Sequence, residues 1–373
     1  VFEKMQINQR QLLEILSYID ISGVRILREL KFQNQLKDEL LFPVVFTSLI
    51  PTQNMHKLTC PWLAALHNPN SLVITPQIYF EHQCLQNGNG LILLFDVAED
   101  VIPMPTITGI IDTYVNSLKV LAKYNCNSAD IPTQLTTFSA KEQTIRLSTK
   151  DSQSFAPELN GLKLQERASK FAGKFALSDM QSAYLFNRYV CTQNVPSGQI
   201  HYQIYLPRIN TEALQAALKS VVNHHDMLRA IINSDGTQSV QKSSPPLTIR
   251  EQDYTNIARG LAYAYLAGDQ KRVMEKVFMA DEWPYFELSI THLSEDQSIL
   301  HASFDFMVLD SHSINIFFRD LFTLYANPGA KLKVVGTTYH DFIVALIDHQ
   351  QSDQFLKSMQ YWQHKFGNIA SGP

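Results

Sequence analysis

The chain has 373 residues, 45% of them hydrophobic and 18% charged, with a formal net charge of −4 and a pI near 6.3. That is the composition of a globular protein long enough for two domains of ordinary size. No dense Lys/Arg tract points to nucleic acid or an anionic membrane surface, and no apolar run reaches the roughly 18 residues that cross a bilayer.

The opening VFEKMQINQRQ lacks the apolar core of a signal peptide and has no initiator Met, so it reads as part of something longer. Along residues 1–124, RQLLEILSYI and VRILREL carry helical spacing, while FPVVFTSLI, TPQIYFEHQCL and GLILLFDVAE carry strand character. Asn87-Gly88-Asn89-Gly90 predicts a hairpin turn between the last two strands. After Pro105, the residues Ile107, Ile110, Ile111, Tyr114, Val115, Leu118 and Leu121 recur at the spacing of one helix face. Residues 125–170 are rich in Ser, Thr, Gln and Asn without sustained periodicity and are expected to be a linker.

A second α/β unit is expected over 171–373. TEALQAALKSVVNHHDMLRAII predicts a core-facing helix through Ala213, Leu214, Ala217, Leu218, Val221, Val222 and Leu228. A strand, an Asp235-Gly236 turn and a strand at SVQK should follow, with HYQIYLP and WPYFELSITHL as further strands. SILHASFDF alternates like a strand, and SINIFFRDLFTLY places Ile314, Phe317, Phe318, Leu321 and Tyr325 on one helical face.

The strand-to-helix turn between these last two segments holds two acids, Asp305 and Asp310, and then Ser313, among apolar residues. Such turns present side chains to a cleft from a rigid scaffold. Each residue also has a structural reading: Ser313 as a helix cap, Asp310 as a turn residue or ion-pair partner. A buried unpaired carboxylate costs several kcal/mol, so an Arg partner is expected for one of them. The four cysteines, Cys60, Cys84, Cys126 and Cys191, are scattered without a CxxC, which argues against a disulfide framework or a zinc site and fits a cytoplasmic protein. Neither a nucleotide-binding loop nor a dinucleotide fingerprint is present.

Asp305-xxxx-Asp310-xx-Ser313 resembles the DxxxxDxxS signature of heterocyclization domains from nonribosomal peptide synthetases, relatives of condensation domains whose motif is HHxxxDG. In that resemblance Phe306 stands where a condensation domain has its active-site His, and a phenylalanine cannot transfer protons. FALSDMQSAYLFNR (175–188), NHHDMLRAIINSDGTQ (223–238) and SMQYWQHKF (358–366) resemble further motifs of the N-terminal lobe. The pair His224-His225 lacks the Asp and Gly of HHxxxDG and reads as structural.

ISGVRILREL, FPVVFTS, ITPQIYFEHQ and GLILLFDVAEDVIP resemble the C-terminal lobe of the same family. The lobe order is the reverse of one domain, so residues 1–124 are expected to close a first heterocyclization domain and 171–373 to open a second. The resemblance implies chloramphenicol-acetyltransferase-like α/β lobes, with mixed sheets flanked by helices.

It also implies site residues. Thr47 would orient and Glu81 relay protons in cyclodehydration, with Glu81 where the family has Asp and Ile74 where it has Gln; Gln77 supports that motif. Arg229 would pair with Asp310. Asp305 would orient the amide or organise the loop, and Ser313 would cap the helix and tether it.

The implied reaction condenses an acyl or aryl thioester with a Cys, Ser or Thr thioester and cyclodehydrates the product to a thiazoline or oxazoline, as in siderophore assembly. Implied partners are carrier proteins, which bring phosphopantetheine-tethered substrates, and other domains of the same synthetase; no cofactor is bound directly. On this reading Asp305 and Glu81 serve different sites and the isolated chain should not turn over. Rival readings are a freestanding acyltransferase, which needs a His at Phe306, and an inactive lobe pair that docks carrier proteins.

Overall fold

The computed structural model describes residues 2–33, 43–49, 72–74, 78–87, 90–122, 173–190 and 198–366. The first zone contains α1 (Phe2–Leu16), α2 (Gly23–Gln33), β1 (Val44–Leu49), β2 (Leu72–Ile74), β3 (Phe80–Asn87), β4 (Gly90–Val97) and α3 (Met104–Ala122). β1 runs parallel to β3, and β3 pairs antiparallel with β4, Asn87 opposite Gly90 as a two-residue turn requires. The turn's centre, the linker at 125–170, Gln77 and three of the cysteines lie outside the described residues; Cys84 is a buried free thiol. His82 stacks on Phe95 at 4.4 Å and meets the edge of Tyr114 from α3 at 4.8 Å, fixing helix to sheet.

The second zone holds β5 (Lys174–Ala176), α4 (Asp179–Val190), β6 (Gln199–Pro207), α5 (Thr211–His224), β7 (Ala230–Ile232) and β8 (Thr237–Val240). It continues with β9 (Arg250–Asp253), α6 (Arg259–Met274), β10 (Phe286–His292), β11 (Gln297–Asp305), α7 (Ser311–Ala326), α8 (Tyr339–His349) and α9 (Asp353–Phe366). The central sheet has the order β2-β6-β11-β10-β9, mixed in direction because β9 runs parallel to β10. Leu300, Ala302 and Phe304 of β11 face a core made with Leu214, Leu218 and Val221 of α5 and Phe317, Phe318 and Leu321 of α7. The opposite face of the sheet is polar and partly paired within itself, His201 with Ser303 at 2.8 Å and His301 with Thr291 at 3.1 Å, while His201 Nε2 and Gln203 Nε2 have no partner among the described residues.

The helix expected to continue through Leu228 stops at His224. His225 is extended, a 3₁₀ turn covers Asp226–Arg229, and β7 begins at Ala230. The side chain of Arg229 caps the stop: its Nη1 donates to the carbonyls of Val222 and Asn223 at 2.7 and 2.6 Å, satisfying groups the ended helix leaves free.

The two zones are one body in this structure. β2 leaves the first zone to add an edge to the central sheet, Leu72 opposite His201 and Ile74 opposite Gln199. Asp20, between α1 and α2, accepts hydrogen bonds from Ser358 at 2.7 Å and Gln354 at 3.3 Å, and pairs with His349 at 2.9 Å. Trp362 donates to the Tyr18 carbonyl at 2.9 Å, and the Tyr18 and Tyr361 rings stack at 3.8 Å. Ser22 donates to Asp179 at the start of α4.

Candidate functional site

Where the zones meet, a cleft of about 1560 Å³ opens. Its first-zone wall is one face of the β1–β3 pair: Val45 beside Glu81 and Thr47 beside Gln83 in register, all four lining the cavity. Period-two alternation puts these four together and turns Val44 and Phe46 outward. Glu81 is only 7% exposed, and its Oε1 accepts from Gln83 Nε2 at 3.1 Å. The second-zone wall is the Phe306–Ser313 loop with Tyr184, His225 and the segment around Thr338. Thr47 and Glu81, expected in a different site from the acidic loop, line the same cavity as that loop in this chain. Both walls face one cavity because β2 and the Asp20 contacts draw the first zone onto the second.

Asp305 lies just beneath this cavity, 0% exposed. It forms an ion pair with Arg188 of α4, and its other oxygen accepts from the Met307 amide at 2.8 Å. Burial pushes its carboxyl above the usual range, while the charge of Arg188 and the Met307 amide pull the other way. Of the two roles expected for Asp305, its position is that of a loop organiser. The same loop is held by Gln181, whose amide donates to the Met307 carbonyl at 2.7 Å and bonds Gln238. Asp305 and Gln181 thus hold the backbone of residue 307 from both sides, with Gln238 bracing Gln181.

Asp310 has a different partner from the one expected. Its Oδ1 accepts from the Ser313 amide at 2.7 Å, and it is the N-cap of α7, with Ser313 three residues inside. Ser313 is therefore not the cap. Nor does Arg229 pair with Asp310: its guanidinium bonds Asp226 at 2.6 Å and the carbonyls that end α5. That hydrogen bonding consumes the fork locally, twelve residues or fewer from Arg229 itself. His225 meets Asp320 at 2.8 Å, and His224 meets the Lys333 carbonyl at 2.9 Å.

Two residues of the 175–188 motif join the site without having been expected there: Arg188, the partner of Asp305, and Tyr184. Burial first, then the carboxylates of Asp305 and Glu81, push the Tyr184 phenol up to about 12. Spacing signalled both, since Tyr184 and Arg188 share a helix face at i and i+4.

Residues 172–371, more than half of the chain, match the family described as the condensation domain. The chain belongs to that family. Among curated relatives, bacitracin synthase 1 of Bacillus licheniformis is 24% identical over 202 residues, 53% of this chain and 4% of that protein. Phenyloxazoline synthase MbtB of Mycobacterium tuberculosis is 25% identical over 204 residues, 53% of this chain and 14% of that protein. Pyochelin synthetase PchF of Pseudomonas aeruginosa is 24% identical over 204 residues, 54% of this chain and 11% of that protein. The chain thus spans a small part of each. Among solved structures, the cyclization-docking bidomain of the nonribosomal peptide synthetase EpoB from Sorangium cellulosum aligns with a TM-score of 0.50 and 20% identity. It covers 78% of this chain and 51% of that one, a likeness of fold. The α/β architecture is that of condensation domains of nonribosomal peptide synthetases, an acyl-transfer class.

Proposed function

We propose that this condensation-family chain is a heterocyclization unit: it joins an acyl or aryl thioester to a Cys, Ser or Thr thioester and closes the side chain into a thiazoline or oxazoline. The observation that carries this reading is the composition of the cleft. Phe306 occupies the family's base position and leaves no imidazole there, while Glu81 and Thr47 bring an acid and a hydroxyl to the opposite wall. Relatives named as a phenyloxazoline synthase and a pyochelin synthetase, and a fold neighbour titled a cyclization bidomain, support it.

The cavity exceeds the roughly 300–1,000 Å³ of an ordinary small-molecule pocket, which suits two tethered chains entering together. Amide formation is then chiefly a matter of holding an amine against a thioester carbonyl. Ring closure follows when the side-chain thiol or hydroxyl adds to the new amide carbon. Dehydration needs proton traffic: the carbinol hydroxyl must take a proton to leave as water, and the nitrogen must lose one. Glu81 serves that relay, with Thr47 orienting the carbonyl. Asp310 and Ser313 shape the facing loop, and Asp305 holds it from below.

The reversed lobe order supports a place at the junction of two successive heterocyclization domains of a longer synthetase, with carrier proteins as partners and siderophore assembly as the setting. Glu81→Gln in the complete synthetase tests the chemistry. The expected result is an accumulating open-chain amide and at least a hundredfold loss of ring product by mass spectrometry; ring formation at the wild-type rate would sink the assignment. An assay of the 373-residue chain with loaded carrier proteins tests the arrangement. Ring product from it means the zones work as one cleft, whereas silence beside an active synthetase means each serves a domain completed by neighbouring sequence.

A further inference from the structure

Tyr184 is built into the wall of the cleft with an unusually fixed ring. Its ring lies so close over Gly198 that a Cβ there would come within 2.5 Å of Tyr184 Cδ1, and Gly198 has a φ of +69°. Only glycine tolerates both conditions. The Gly198 carbonyl in turn accepts from the Phe306 amide at 2.8 Å, and the Phe306 ring sits 6.0 Å from that of Tyr184. The phenol is thereby locked at the mouth of the acidic loop, in one cavity with Glu81 and Thr47.

Among the described residues no hydrogen bond to its hydroxyl is found, so the donor stands open to a group entering the cavity. Burial first, then the carboxylates of Asp305 and Glu81, favour the neutral phenol, which keeps its proton at neutral pH and is a donor. A fixed donor in the wall of a substrate-sized cavity is the element needed where negative charge develops on a carbonyl oxygen.

We propose that Tyr184 contacts the substrate directly, its hydroxyl donating to the carbonyl oxygen of the carrier-tethered acyl group while the acceptor amine attacks. In that step the nitrogen–carbon bond forms, the carbon–sulfur bond breaks, and the amine's proton leaves with the carrier's thiol. Tyr184 retains its own proton throughout. The assignment rests on the reading of the cleft as a thioester-condensing site, and it concerns amide formation, the step before ring closure.

The test uses the complete synthetase with loaded carrier proteins and reads amide formation in single turnovers. Tyr184→Phe keeps the ring on Gly198 and removes only the donor, so amide formation should slow about a hundredfold while KM for the acceptor carrier stays within twofold. A Tyr184→Phe rate within twofold of wild type would overturn the assignment and leave the ring a packing role. Should that variant fold poorly, 3-fluorotyrosine at position 184 keeps the donor and lowers its pKa. The alkaline limb of the pH–rate profile should then move to lower pH, and an unmoved limb is equally fatal. A wild-type product that stays an open amide removes the heterocyclization reading yet leaves this assay intact; no amide at all removes both.

Discussion

Asp305 and Arg188 lie 117 residues apart and meet with the carboxylate fully buried and the arginine side chain only 12% exposed. A pair of this kind is weak evidence for stability, because desolvating two charges costs nearly what their attraction returns. Its value is geometric: one carboxylate binds the guanidinium of α4 and the amide that turns the loop after β11. Removing one partner is another matter. Arg188→Ala strands a buried carboxylate and should cost about 3–5 kcal/mol in urea unfolding, whereas Asp305→Asn combined with Arg188→Gln should cost clearly less. Losses that simply add, the double variant costing the sum of Asp305→Asn and Arg188→Gln made singly, would mean the pair is not coupled. The sequence did signal that a buried acid required an Arg. It could not choose among arginines, because the choice depends on which helix end lies over the strand.

The acidic motif illustrates how an element reassigns its residues. Asp, Ser and a following apolar run all announce a helix start, and either Asp310 or Ser313 satisfies the preference for a capping oxygen. The structure gives the cap to Asp310, whose extended backbone lets its side chain reach the Ser313 amide. Asp310→Ala should therefore lower stability by about 0.5–2 kcal/mol in denaturant melts, with Asp310→Asn nearly neutral and Ser313→Ala smaller than Asp310→Ala. The reverse order of losses would return the cap to Ser313. Helix α5 misled the periodicity in a similar way: Leu228 continues the apolar spacing, yet it is buried from a 3₁₀ turn after the helix has ended. Periodicity reports which face is buried, and a tight turn can keep the face while changing the helix.

At the scale of the molecule, Asp20 ties α1 and α2 to α8 and α9. Burial raises its pKa, but hydrogen bonds from Ser358, His349 and Gln354 outweigh it and hold the carboxyl below the usual value of 3.8. The folded form therefore binds this proton less readily than the unfolded chain. The contribution to stability is present above pH 3.8 and fades as pH falls through the lowered folded value. Thermal melts of Asp20→Asn should show lower stability at pH 6 and a gap to wild type that narrows on acidification below about pH 4. A gap that does not depend on pH would mean the carboxylate's charge is not what holds the zones together.

The family, the α/β lobes and the identity of the loop residues were legible from order and spacing, because each depends on local pattern: period two in a strand, a cap before an apolar face, motifs at fixed distances. Contacts between residues far apart in the chain were not legible. The partner of Asp305, the detour of Arg229 onto its own helix and the meeting of Glu81 with the Phe306–Ser313 loop all follow from how β2 and the Asp20 contacts draw one zone onto the other. Local propensity is written within a few residues, whereas the shape of a cleft is set by long-range packing that only the folded chain resolves.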